Sequence, residues 1–318
     1  MTSGMLKPRA LRRGDRVAVL APASPFDRAL FDQGVKELGA LGFEPVFEAG
    51  VFERQHYVAG AASNRAAMLR AALRDPKIAG IVVVRGGYGS AQLLPFLDSN
   101  EIRAARKPLI GYSDLTALLA YFTLTCELVC FHGPMVLNFA SGVKGYDRES
   151  FLNNVTGRHS VGELNPIGLE ALIRGKASGP LFGGTLTQIV SSLGTPYAFK
   201  PPSGYVLLLD DIGERPYRID RMLTQLSQAG VLAKASAVVC SEFPGCSEIS
   251  EVDGKVGSSS TDARTVVADL LVGFDGPVVF GFPSGHTTGP IWTLPLGVEV
   301  TVHATPRPRI IIEEAAVE

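Results

Sequence analysis

Between Arg16 and Phe122, short β-branched or apolar runs alternate with amphipathic stretches, and this alternation constrains the fold more strongly than any other feature of the chain. Arg16–Ala21 reads as a strand, and Ser24-Pro25 then opens a helix in which Leu30, Phe31, Val35 and Leu38 recur at helical spacing until Gly42. A second strand is expected near Pro45–Glu48. Ser63 can cap a helix running through Leu73, with Ala66, Ala67, Met68 and Leu69 among its small and apolar residues. Ile78–Val84 follows as a buried strand, Ser90–Leu97 as a helix, Pro108–Gly111 as an extended run and Leu115–Phe122 as a helix again. Such βαβα succession implies a mainly parallel sheet covered by helices, with ligands bound beyond the carboxyl ends of its strands.

The length of 318 residues exceeds one ordinary domain of roughly 100–200 residues, so two domains are expected. From Tyr146 to Ser178 the pattern weakens into polar residues and isolated glycines, which reads as a connection. Beyond it, Tyr205–Leu209, Ala237–Cys240, Val278–Phe280 and Val298–His303 are strand candidates, and Tyr217–Ala229 is a helix ended by Gly230. The expected fold class is α/β. Residues 1–150 form an N-terminal parallel-sheet domain of Rossmann or flavodoxin type, 151–178 a linker, and 179–318 a smaller C-terminal α/β domain.

Hydrophobic residues make up 46% and charged residues 19% of the chain, a globular balance. Thirty basic against 31 acidic residues leave a net charge of -1, which provides no general attraction for nucleic acid or an anionic membrane. A small neutral or zwitterionic ligand fits better. The basic amino terminus leads into a strand without a signal-peptide cleavage pattern, and no apolar run is long enough to span a membrane, so a soluble, cytoplasmic protein is expected. Cys126, Cys130, Cys240 and Cys246 show neither a CxxC pair nor a disulfide framework, so they read as buried thiols and not as metal ligands.

In Lys107–Leu119 an extended run, a tight turn and a helix place Ser113 at the bend, where a hydroxyl is exposed and the helix N-terminus points at any oxyanion formed beside it. Gly-x-Ser lacks the second glycine of G-x-S-x-G, so this segment alone fits a simple helix N-cap equally well. The turn Arg85-Gly-Gly-Tyr-Gly89 follows a strand and should end at the same sheet edge. The N–H groups at Gly86 or Gly87 can then form an oxyanion hole with that of Asp114.

A serine nucleophile needs a base, and histidine has a suitable pKa. Among five histidines, His132 and His286 follow strands and sit in constrained turns, whereas His56, His159 and His303 read as surface residues. His286 has the better placing, on a loop that can reach across from the second domain. Asp210, Asp211 and Glu214 lie just beyond the strand ending in Leu209. Asp210 is the best fixed as orienter, while Glu214 remains the alternative, a helix-capping group or a substrate contact. Arg85, Arg215 and Arg218 are candidates for holding a substrate carboxylate.

Taken together, Arg85-Gly-Gly-Tyr-Gly, Gly111-Tyr-Ser-Asp, His132-Gly-Pro-Met, Gly183-Gly-Thr, Asp210-Asp-Ile-Gly-Glu-Arg-Pro-Tyr-Arg-Ile-Asp-Arg-Met-Leu223 and Gly285-His286 resemble the LD-carboxypeptidase family. The resemblance implies a Ser-Glu-His triad, with Ser113 and His286 falling on nucleophile and base. Where the family usually has Glu-Asp, this chain has Asp210-Asp211, and the family's Gly-Gly-Asn reads Gly-Gly-Thr185. It further implies a serine carboxypeptidase that removes terminal D-alanine from an L,D-linked murein tetrapeptide, without metal or organic cofactor, as a homodimer. Two rivals accompany it: a hydrolase of toxic acyl-adenylate peptides, as in the microcin C self-immunity sister group, and a muropeptide-binding protein with an impaired triad.

Overall fold

The computed structural model describes residues 4–252 and 255–318. The first half runs β1 (Arg16–Leu20), α1 (Arg28–Ala40), β2 (Glu44–Val46), α2 (Ala62–Arg74), β3 (Ile78–Val83), α3 (Ser99–Ala105), β4 (Leu109–Gly111), α4 (Thr116–Ala120) and β5 (Cys130–His132). These five strands are parallel and stand in the order β2-β1-β3-β4-β5, the doubly wound arrangement of flavodoxin type. Their near-continuous apolar sequences follow from burial on both faces: Val17, Val19, Ile81, Val82 and Ile110 are all buried.

Then follow α5 (Val136–Phe139), α6 (Arg148–Thr156), β6 (Gly162–Leu164), β7 (Glu170–Ile173), β8 (Gly175–Thr185), α7 (Leu186–Ser192), β9 (Tyr205–Asp210), α8 (Pro216–Gln228) and β10 (Ala235–Ser241). A hairpin of β11 (Ser247–Val252) and β12 (Lys255–Asp262) precedes α9 (Ala263–Leu270), β13 (Val278–Phe282), β14 (Leu294–Leu296), β15 (Glu299–Ala304) and β16 (Arg309–Ile312). Among the described residues the second sheet has eight strands in the order β6-β16-β15-β8-β9-β10-β13-β7, parallel from β8 through β13 and antiparallel outside.

Several expectations change here. The stretch 151–178 is not a bare connection: it carries most of α6, all of β6 and β7, and the start of β8. Its alternation was invisible because edge strands are short and half exposed. Strand β14 returns to the first sheet and pairs antiparallel with β5, so the C-terminal part of the chain contributes to both sheets. α1 starts at Arg28 with Asp27 as its cap, accepting from the Leu30 N–H at 2.9 Å, and not at Ser24-Pro25. α2 starts at Ala62 with Ala61 at its cap position, which puts Ser63 inside the first turn. Ser90–Phe96 is a 3-10 segment, and α4 passes into a π turn at Tyr121–Thr125. All four cysteines are buried free thiols. No helix among the described residues is long and apolar enough to cross a membrane.

The two sheets meet at their carboxyl ends. The Thr185 N–H, at the end of β8, donates to Thr116 Oγ1 at the start of α4, at 2.9 Å. This approach requires glycine at Gly184, where φ is +143° and a Cβ would stand 2.5 Å from Thr116 Oγ1. Gly184→Val is therefore expected to destabilise the protein by about 1–3 kcal/mol through overpacking, and denaturant unfolding followed by circular dichroism would measure it.

Candidate active site

Ser113, Asp210 and His286 are each placed by the end of a parallel strand. Ser113 follows β4 at φ +66°, the left-handed region that costs a non-glycine residue about 1–2 kcal/mol, and Tyr112 rather than Ser113 occupies the cap position of the short helical turn after it. Ser113 is partly exposed, and the bend is braced from beneath. The buried Asp114 carboxylate accepts the Ser90 N–H at 2.8 Å, while Ser90 Oγ donates to the Asp114 carbonyl at 2.5 Å. Burial raises the Asp114 pKa, and the N–H groups of Ser90 and Gly89 with the Arg65 charge act against that rise.

The glycine turn after β3 lies against this bend. A Cβ on Gly86 would stand 2.9 Å from Ser113 Oγ and 3.2 Å from the Asp114 nitrogen, so only glycine lets the Gly86–Gly87 peptide approach the hydroxyl. Gly87, at φ +105°, backs onto Ser24, whose hydroxyl accepts the Tyr88 N–H at 3.0 Å and donates to the Tyr57 carbonyl at 2.8 Å. Among the described residues, neither the Gly87 nor the Asp114 N–H has a loop or side-chain acceptor.

On the facing edge, Asp210 ends β9 with no solvent exposure. Its carboxylate accepts the His286 N–H at 2.9 Å, lies 2.9 Å from His286 Nδ1, and accepts Thr185 Oγ1–H at 3.1 Å. Burial lowers the His286 pKa, but the Asp210 hydrogen bond and charge, with Asp211 adding to them, outweigh burial and leave it raised. The His286 ring reaches the first domain, where its centroid is 5.1 Å from that of Tyr112, the residue preceding Ser113. Ser113 and His286 thus stand on facing edges. No hydrogen bond joins them among the described residues, a separation common in unliganded sites.

The other candidates separate by geometry. Asp211 accepts the Thr187 N–H and hydroxyl at 2.9 and 2.7 Å, and Glu214 pairs with Arg218 at 3.5 Å, so neither contacts His286. Arg215 pairs with Glu248 at 3.6 Å. Arg85 is half-buried, donates to the Pro25 carbonyl at 3.3 Å, and among the described residues has no carboxylate at ion-pair distance. His132 is buried at the joint, His56 and His159 are exposed, and His303 lies half-buried in β15, away from the site. Among the described residues no three His, Cys, Asp or Glu side chains are grouped to hold a metal ion.

Sequence reasoning missed the supports. Arg65, 2% exposed, donates to the carbonyls of Pro22, Gly60 and Gly89 and to Gln92, tying the glycine turn to its neighbours. A cation on the apolar stripe of α2, one turn before Leu69, was the available signal. Glu242, just past β10, accepts Thr287 Oγ1–H at 2.7 Å and the Thr288 N–H at 2.8 Å, fixing the far side of the His286 loop. No local pattern marks that pair.

Two family models match the chain, the LD-carboxypeptidase N-terminal domain over residues 17–133 and the LD-carboxypeptidase C-terminal domain over 178–302. A probable murein peptide carboxypeptidase of Bacillus subtilis is 32% identical over 96% of this chain and 94% of its own. Among solved structures, a muramoyltetrapeptide carboxypeptidase from Oxalobacter formigenes superposes with a TM-score of 0.81 at 28% identity, covering 94% of this chain and 99% of its own. The microcin C7 self-immunity protein in its wild-type unliganded state superposes at 0.85 with 25% identity, covering 98% and 100%.

Burial is the largest influence on His286 and is overcome mainly by Asp210. Asp210→Asn should therefore bring the His286 pKa from above the ordinary 6.5 to below it. An NMR titration of the imidazole signals would show this, and a ring still titrating above 6.5 in the variant would contradict the pairing.

Proposed function

Since the chain belongs to the LD-carboxypeptidase family, we propose that it is a serine peptidase removing the terminal D-alanine from L,D-linked murein tetrapeptides during peptidoglycan recycling. The observation that carries this reading is His286, held through its backbone N–H and its ring by one fully buried carboxylate and standing across the joint from a serine at a strained bend. A hydrogen-bonded Asp210 keeps the Nδ1 proton in place, which leaves the Nε2 lone pair free to act as base.

In the proposed reaction Ser113 Oγ attacks the carbonyl carbon of the scissile amide and its proton passes to His286 Nε2. The Gly87 and Asp114 N–H groups stabilise the oxyanion that forms, and Gly86 supplies the clearance for it. His286 then protonates the departing nitrogen of D-alanine, and the C–N bond breaks. Water attacks the acyl-serine by the same route in reverse, returning the proton to Ser113 and releasing the shortened peptide.

Arg85 is assigned to the free carboxylate of the substrate because, of the three arginines considered, it alone lacks an acidic partner among the described residues. Glu214, whose carboxylate lies 3.5 Å from Arg218, is assigned to a cationic group of the peptide that joins or displaces that arginine. By the same family resemblance the enzyme works in the cytoplasm as a homodimer. The likeness to the microcin C7 self-immunity protein favours one second reading, hydrolysis of an acyl-adenylate peptide with the same triad and a different leaving group.

Mass spectrometry after incubation with an L,D-tetrapeptide, a D,D-pentapeptide and an aminoacyl sulfamoyl adenosine separates these outcomes. Loss of one alanine from the tetrapeptide alone is expected, and equal cleavage of both peptides would overturn the assignment. Ser113→Ala should lower kcat/KM by about 10⁴-fold or more without unfolding the protein. Arg85→Gln should raise KM about 10–100-fold with kcat little changed, as expected for loss of a charge-assisted contact.

A further inference from the structure

His132 has no role in the proton transfer proposed above, yet it is fully buried at the meeting point of the two sheets. It ends β5, opposite Gly111 of the nucleophile strand on one side and Leu294 of β14 on the other. Its Nδ1 shares a hydrogen bond with Ser284 Oγ at 2.9 Å, and the Ser284 carbonyl in turn accepts Ser241 Oγ–H at 2.6 Å. Between Ser284 and His286 the chain passes through Gly285 at φ +82°. A Cβ there would stand 2.7 Å from His132 Cε1 and 2.6 Å from the Asp210 carboxyl carbon. The loop carrying the base is therefore pressed between an imidazole of the first domain and a carboxylate of the second.

We propose that His132 is a positioning residue for His286, an uncharged ring that clamps the Pro283–Gly285 turn through Ser284 and so fixes where the base meets Asp210 and Ser113. The inference rests on the serine-hydrolase reading of the same site. The groups facing His132 are Asp210 from β9, His286 from the clamped loop, and Tyr112, whose ring centroid is 5.9 Å away. Those facing His286 are Asp210, Asp211, His132 and Tyr112. Burial, the strongest influence, lowers the His132 pKa to about 4; His286 adds to that and Asp210 opposes it. A neutral His132 leaves the Asp210 charge to favour protonation of His286 alone. Two neighbouring imidazolium ions would compete for it.

The test compares wild type with His132→Leu, Ser284→Ala, their double variant and His132→Asn, whose side-chain amide places a polar atom near the position of Nδ1. Imidazole NMR titration and steady-state kinetics are read on each. His132→Leu and Ser284→Ala are each expected to move the His286 pKa down toward 6.5 and to lower kcat about 10–100-fold with KM held, the scale of a small displacement of a reacting group. The double variant should be no worse than the worse single, and His132→Asn should recover most of both losses. An unchanged His286 titration in folded His132→Leu or in Ser284→Ala would overturn the proposal. Should the leucine variant fail to fold, Ser284→Ala, which keeps the ring, decides it. A wild type inactive on every peptide would refute the assigned reaction, while the titration would still decide the role of His132.

Discussion

A carboxylate with no contact with water must find its hydrogen bonds inside the protein, and at Asp210 that requirement shapes the whole site. Its oxygens take two bonds from His286 and one from Thr185. To deliver a backbone N–H and a ring nitrogen to the same carboxylate, the chain after β13 must turn tightly, which is why glycine is needed at Gly285. The His286 imidazole is thus oriented by its own main chain as well as by its ring, an arrangement stiffer than a single imidazole contact would provide.

That loop is useful only because it faces the other sheet. Both sheets present the carboxyl ends of parallel strands to one joint: β3, β4 and β5 from one side, β8, β9, β10 and β13 from the other. Thr116 and Thr185 tie the joint across the start of α4, and His132 with Ser284 ties it again beside the His286 loop. Gly184 and Gly285 lie where the two edges approach too closely for a Cβ, and Gly86 provides the same clearance within the first sheet, against Ser113. Burial at this joint has opposite effects on its two histidines. His132 lacks a direct acidic partner and is pushed down, whereas His286 is hydrogen-bonded to a carboxylate and ends raised.

Much of this was legible in the residues. The parallel strands of the first half announce themselves as unbroken apolar runs, since burial on both faces removes any polar alternation. The bend at Ser113 and the turn at Gly86 and Gly87 could be read from strand, glycine and helix in succession. The edge strands β6 and β7 could not, because three or four half-exposed residues carry too little pattern to stand out from a loop. Arg65 and Glu242 were also missed: their partners lie up to 46 residues away and are mostly backbone groups, which leave no trace in side-chain spacing.

By itself the sequence determined the fold class, the order of the parallel units and a short set of chemically competent residues, because each depends on local periodicity, turn chemistry or residue type. It left open which carboxylate holds the imidazole and which of two constrained histidines lies beside the Ser113 bend. Only the tertiary structure decided those contacts, bringing Asp210, not Glu214, to His286 and burying His132 as a wall. The reason is geometric: the residues come from strand ends in two sheets, so their distances are set by how the sheets pack and not by their separation along the chain.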